Sequence, residues 1–165
     1  MMTGKCGIIS GGERDTLSGI EDCGLIIACD RGYEYARAAG VRPGLLVGDF
    51  DSYTGPLPED IPRLDLPAEK DDTDTMAAIR HAVTVGCGEI WLYCAMGGRL
   101  DHLLGNLQAA AFAVKHGVWV RIIDRETEIR VFTGGCITVP EREGWSLSVL
   151  ALSDRCTGVS IHGTK

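Results

Sequence analysis

Val47-Gly48-Asp49-Phe50-Asp51-Ser52 ends a short apolar run with two carboxylates one residue apart. In an extended backbone, residues two apart project to one side, so Asp49 and Asp51 are expected to face the same way while Phe50 turns to the core. Such a pair repels itself unless something positive lies between. Mg²⁺ meets that demand, because it is octahedral and binds through one or two carboxylates plus phosphate oxygens and water. An Asp-rich turn that caps the next segment explains a lone pair of this kind about equally well. A second acidic cluster, Lys70-Asp71-Asp72-Thr73-Asp74, runs straight into the amphipathic stretch 75–83. Asp72 or Thr73 suits a helix N-cap, and acid in a first turn is favoured by the helix macrodipole. Three aspartates in four residues exceed what one helix start needs. The surplus of like charge becomes favourable when a cation is bound, and Lys70 either meets a phosphate or neutralises its neighbours.

Two further motifs share this character. Met96-Gly97-Gly98-Arg99-Leu100-Asp101-His102 lies between an apolar run and a long helical stretch. Paired glycines at a strand-to-helix turn let backbone N–H groups approach an anion, and the Arg99 guanidinium suits phosphate; a plain tight turn would need the same glycines. Asp101 is the side chain of chemical interest there, and His102 and Asn106, four apart, share a helix face near that end. Cys29-Asp30-Arg31-Gly32 follows another apolar run.

The elements that must position these groups are legible in the hydropathy pattern. Short apolar runs at 6–10, 24–29, 45–47, 89–94 and 118–123 read as strands buried on both faces. Helices are expected at 33–39, 74–85 and 100–116, each closed by the glycine that follows it, Gly40, Gly86 and Gly117. Strand and helix alternating in this way predicts an α/β fold, a doubly wound, mostly parallel sheet with helices on both faces. All four acidic motifs then fall at strand C-termini, where open α/β sheets bind their ligands. After Asp124 the pattern changes to short apolar segments at 128–132, 136–139, 147–152 and 159–162 with no helix. The expectation is a domain over 1–125 followed by the start of a C-terminal all-β domain, sandwich or barrel, over 126–165. So few strands do not close such a module, so the chain is expected to stop inside it.

Bulk properties narrow the function classes. A net charge of -7, with four scattered lysines, argues against a nucleic-acid backbone as partner, since phosphate tracking needs clustered Lys and Arg. An acidic protein can still hold a small polyphosphate through a divalent cation. No apolar run approaches a membrane span and no signal-peptide layout is visible, which gives the expectation of a cytoplasmic protein with no membrane partner. The seven cysteines are odd in number and form no CxxC pair, so they are expected to be reduced thiols, mostly buried. No Gly-x4-Gly-Lys-Ser/Thr loop and no Gly-x-Gly-x-x-Gly after a strand is present, which disfavours P-loop and dinucleotide-binding enzymes.

Taken together and in order, Gly48-Asp-Phe-Asp-Ser52, Lys70-Asp-Asp-Thr-Asp74 and Gly97-Gly-Arg-Leu-Asp-His102 resemble the bacterial thiamine pyrophosphokinase family, and Asp30-Arg31-Gly32 agrees with it. The likeness covers essentially the whole chain. It implies Mg²⁺-dependent transfer of a pyrophosphoryl group from the co-substrate ATP to the hydroxyl of thiamine, giving thiamine diphosphate and AMP, by a homodimer. It also implies roles for individual residues. Asp49, Asp51 and Asp74 would bind the metal. Asp71, Asp72 and Thr73 would line the nucleotide side, with Asp30, Arg31, Lys70, Gly97, Gly98 and Arg99 beside the phosphates and His102 and Asn106 nearby. Asp101 would hold the thiamine hydroxyl or ring and assist its deprotonation. The family's β domain continues beyond Lys165, so acceptor contacts from that region are not named. Three other readings remain: a pyrophosphokinase for another hydroxymethyl acceptor such as a pterin, a non-catalytic nucleotide or thiamine sensor, and, ranked low because of Tyr53, a dehalogenase-type phosphatase.

Overall fold

The structure is a computed structural model that describes residues 4–50, 53, 55–66 and 72–163. Asp51, Lys70 and Asp71, three of the residues singled out above, lie outside the described residues. Seven strands form one sheet: β1 (Lys5–Ile9), β2 (Leu25–Cys29), β3 (Leu45–Gly48), β4 (Arg63–Asp65), β5 (Glu89–Tyr93), β6 (Trp119–Ile123) and β7 (Glu128–Val131). Three helices accompany them, α1 (Gly32–Ala38), α2 (Asp74–Thr84) and α3 (Leu100–Lys115), with a short 3₁₀ turn at Ile20–Asp22. The spatial order is β4-β3-β2-β1-β5-β6-β7. Every pairing is parallel except that of β6 with β7.

This order winds outward from β1 to β4 and then returns to place β5 on the other side of β1. The reversal falls between β1 and β5, and doubly wound sheets take up ligands outside the carboxyl ends of the strands at such a switch point. Residues alternate between the two faces along each strand, as the two-residue repeat requires. Ile8, Ile27, Val47, Ile90, Leu92 and Ile122 pack in one layer with Ala78, Ile79 and Ala82 of α2 and Ala109, Ala110 and Ala113 of α3. The alanines let both helices lie close on the sheet. On the opposite face Ile9, Trp91 and Tyr93 pack with Ile20 and with Ala36 of α1. Beside them Ala28 and Leu46 meet Tyr33, Phe50 and Ile61. Both faces are thus covered, which is why β1, β2, β3 and β5 read as near-continuous apolar runs.

Two strands differ from the sequence expectation. β4 is short, exposed and carries Arg63 and Asp65, so no apolar signal announced it. β7, expected to open the C-terminal β module, is instead an antiparallel edge strand of the main sheet, in register Arg121 with Arg130 and Ile123 with Glu128. A tight turn makes this reversal. Asp124 N–H donates to Thr127 O at 3.0 Å, and the Asp124 carboxylate accepts from the backbone N–H groups of Glu126 (2.9 Å) and Thr127 (2.6 Å).

The chain divides into two compact units, Met1–Thr133 and Gly134–Lys165. Within the described part of the second, residues 134–163, there is no strand or helix. The strands expected at 136–139, 147–152 and 159–162 are therefore not formed. A strand requires a partner ladder to satisfy its N–H and C=O groups. Leu147, Val149, Leu150, Leu152, Val159 and Ile161 are all exposed. Among the described residues, no helix is long and apolar enough to cross a membrane.

Candidate active site

The C-terminal edge of the sheet is built from tight, conformationally unusual turns. Among the described residues, the non-glycine positions with left-handed φ are Asp30 (45°), Phe50 (56°) and Cys94 (52°), which follow β2, β3 and β5. Left-handed backbone at residues other than glycine costs energy and concentrates where surrounding structure imposes it, typically at functional edges. Gly32 is obligatory for a different reason: a Cβ there would lie 2.1 Å from the carbonyl oxygen of Ile9. α1 can start directly after Asp30 only because that side chain is missing.

Gly48 is where three of the four acidic motifs meet. Its φ is 143°, and a Cβ added to it would lie 3.3 Å from Asp74 Oδ2, 3.3 Å from Asp30 N and 3.4 Å from Asp30 Cβ. Asp30 N–H donates to Val47 O at 3.0 Å, locking the ends of β2 and β3 together. Asp30, the Gly48-Asp49 step and Asp74, which come from three separate segments of sequence, are thus brought together. Asp49 is exposed and Phe50 is buried, as expected. The reason differs, however. β3 ends at Gly48 and Phe50 is left-handed, so Phe50 reaches the core through a turn and the simple alternation of an extended strand does not apply.

Thr73 is the N-cap of α2, its Oγ1 accepting from Met76 N–H at 3.1 Å. Asp72 is held by Arg80, whose Nε donates to its Oδ2 at 2.7 Å, and the Arg80 guanidinium in turn covers the Phe112 ring. Asp74, the first residue of α2, lies beside Gly48. Arg31 is exposed and directly precedes α1.

The turn between β5 and α3 holds a separate constellation. Gly97 and Gly98 have φ of 84° and 63°, and α3 has no side-chain cap. Arg99 Nε donates to Asp101 Oδ1 at 3.0 Å, and a second guanidinium nitrogen donates to Oδ2. This two-point pair, chiefly through its hydrogen bonds, holds the exposed Asp101 carboxyl below the usual carboxylate range and raises Arg99. His102 is exposed, whereas Asn106 is buried and donates from Nδ2 to Ala95 O at 2.8 Å. The two do not share a surface: the Asn106 amide anchors α3 to the segment after β5.

The loop after β1 also belongs to this edge, although it is not among the motifs read from the sequence. Ser10 N–H donates to Tyr93 O (2.9 Å), Gly12 N–H to Cys94 O (3.1 Å), and Tyr35 Oη–H to Gly12 O (2.8 Å). Glu13 then reaches over the second glycine turn, where a Cβ on Gly97 would collide with its carboxylate. The available signal was Gly11-Gly12 directly after a strand, the same pattern that marked Gly97-Gly98. All seven cysteines are free thiols, with Cys6, Cys29, Cys87 and Cys94 buried. The Cys6 thiol is pushed up by its contact with Cys87 and by burial.

Carboxylate oxygens are hard donors suited to Mg²⁺, and the absence of a Cβ at Gly48 leaves the Asp74 carboxylate room at the end of β3. The donor set therefore fits such an ion. Among the described residues no group of three or more His, Cys, Asp or Glu forms a metal cage by itself, and Asp51 lies outside them.

The family model for the thiamin pyrophosphokinase catalytic domain matches residues 17–122. The chain belongs to the thiamin pyrophosphokinase family. The thiamine pyrophosphokinase of Bacillus subtilis (strain 168) is 32% identical over 168 residues, covering 96% of this chain and 78% of that protein. A thiamine pyrophosphokinase crystal structure from Bacillus subtilis superposes with a TM-score of 0.67 at 30% identity, over 75% of this chain and 62% of that one. A thiamin pyrophosphokinase family protein from Enterococcus faecalis gives 0.66 at 27% identity, over 86% and 71%. The matched span of the thiamin pyrophosphokinase catalytic domain contains Asp30, Asp49, Asp74 and Asp101, and so all the described acidic motifs of the sheet edge.

Proposed function

We propose that this chain is a thiamine diphosphokinase that uses Mg²⁺ to transfer a pyrophosphoryl group from ATP to the hydroxyl of thiamine, releasing AMP. The observation that carries the reading is the meeting of Asp30 and Asp74 at Gly48, beside Asp49, at the C-terminal edge of a doubly wound sheet. Membership of the family supplies the acceptor.

Asp49, Asp51 and Asp74 would hold the metal, which when bound supplies neutralisation of the phosphate charge. The remaining work falls to positioning and electrostatics, since displacement at a phosphorus needs little covalent help from the protein. Arg31, Lys70 and Arg99 would face phosphate oxygens, with Asp30, Asp71, Asp72 and Thr73 lining the nucleotide side and His102 at the rim. Gly97 and Gly98 would let backbone N–H groups approach the anion. Asp101 would orient the thiamine hydroxyl. Its carboxyl is held low by Arg99, so it accepts a hydrogen bond more readily than it removes a proton. A homodimer and a cytoplasmic location are part of this reading.

The test is incubation with ATP, Mg²⁺ and thiamine, followed by chromatographic measurement of AMP and thiamine diphosphate beside an Asp74→Asn control. Thiamine-dependent AMP that is lost in the control supports the proposal. AMP formed only with a neutral hydroxymethyl pterin would reassign the acceptor, and nucleotide binding without AMP would make the chain a sensor.

A further inference from the structure

Ser10, Thr75 and Asn106 are the buried polar residues among those described. All three sit at the same edge of the sheet and tie it to a helix. Asn106 fixes α3 to Ala95, and the Ser10 hydroxyl meets the Thr75 hydroxyl at 2.9 Å, joining the end of β1 to the first turn of α2. Thr75 directly follows Asp74, and the Cys29 thiol donates to the backbone oxygen of Asp74 at 3.6 Å. The first turn of α2 is therefore clamped to the ends of both β1 and β2.

Nothing in helix formation asks for the hydroxyl pair. Thr73 already caps α2. Buried hydroxyls are costly to desolvate, and an alanine and a valine would fill the same space without that cost. What two hydroxyls add is a directional contact that tolerates only one placement of the helix start. We infer that the Ser10–Thr75 pair is a positioning device for Asp74, setting how tightly the carboxylates beside Gly48 take up a divalent cation with nucleotide. This rests on the reading of Asp74 as a metal ligand.

The experiment compares the whole protein with Ser10→Ala, Thr75→Val, the double variant and Thr75→Ser. Thermal midpoints are measured alongside calorimetric binding of Mn²⁺ with a non-hydrolysable ATP analogue. Each single variant orphans one buried hydroxyl and should lower the midpoint, whereas the double variant removes both and should recover most of it. Metal–nucleotide affinity should behave differently. It should fall about tenfold in both single variants and stay low in the double variant, as for groups that orient metal ligands, with Thr75→Ser restoring it. Recovery of affinity together with stability in the double variant would mean that the pair serves only the fold, and unchanged affinity in all variants would also overturn the inference. The binding readout does not depend on thiamine. Wild-type protein that forms no AMP while these affinities shift as expected would sink the proposed reaction and leave the positioning role standing, and wild-type protein that binds no Mn²⁺–nucleotide would remove both.

Discussion

Arg99 and Asp101, two residues apart, form a hydrogen-bonded ion pair that bears on how the candidate site responds to pH. The guanidinium holds the Asp101 carboxyl below its ordinary value, so the ionised form persists to lower pH than a lone aspartate would allow. For a carboxyl depressed in the folded state, any linked stability is present above the unfolded pKa and is lost as pH falls through the folded one. Both groups are exposed, so the consequence to seek is in activity. If ionised Asp101 orients the acceptor, Arg99→Met should raise the Asp101 pKa and move the acid limb of log(kcat/KM) for thiamine to higher pH. An unmoved limb would mean that Asp101 does not govern that ionisation. This pair also marks a limit of the sequence: Arg99 and Asp101 were visible as separate candidates, one for phosphate and one for acceptor, but spacing does not reveal that they bond each other. Ser10, Glu13 and Thr75 escaped for a similar reason, since their partners lie far away along the chain.

At the scale of elements, the motifs depend on how closely helices start behind strands. Gly32 has no room for a side chain under the Ile9 carbonyl, so Gly32→Ala must shift either β1 or α1. Overpacking of this kind costs about 1–3 kcal/mol, and the shift would move Asp30; urea titration should show the loss of stability together with weaker nucleotide binding. Thr73→Ala removes the cap of α2 and should cost about 1 kcal/mol in the same titration. α2 is legible because apolar period, cap and closing glycine agree, and β5 because its apolar run is continuous. β4 is not, because Arg63-Leu64-Asp65 is an edge strand defined only by its hydrogen bonds to β3. β7 reads as a strand in the sequence, but nothing in the sequence places it in the main sheet. Its position is decided by the Asp124 turn, and a polar four-residue turn gives no hint of whether the next strand returns to its neighbour or leaves. The described segments after Gly134 show the converse, apolar stretches that form no strand.

For the molecule as a whole, charge is the property that its ligand must overcome. The chain carries a formal net charge of -7, and its candidate site gathers aspartates around Gly48, so ATP alone approaches an acidic edge with its own negative charge. Repulsion between like charges in solvent is long-ranged and screened by salt, while a bridging cation reverses the sign of the local interaction. Two opposite salt responses follow. In the presence of EDTA, ATP should bind weakly, and its affinity should rise as ionic strength increases, because screening relieves the repulsion. With Mg²⁺ the affinity should be at least about tenfold higher, since bridging replaces repulsion, and it should fall with added salt as the cation's attraction is screened. Calorimetry of ATP binding at low and high salt, with EDTA or with Mg²⁺, separates the cases. If metal-free affinity instead falls with salt, basic groups such as Arg31, Lys70 and Arg99 dominate the field felt by the phosphates, and the carboxylates cannot be what makes binding depend on the metal.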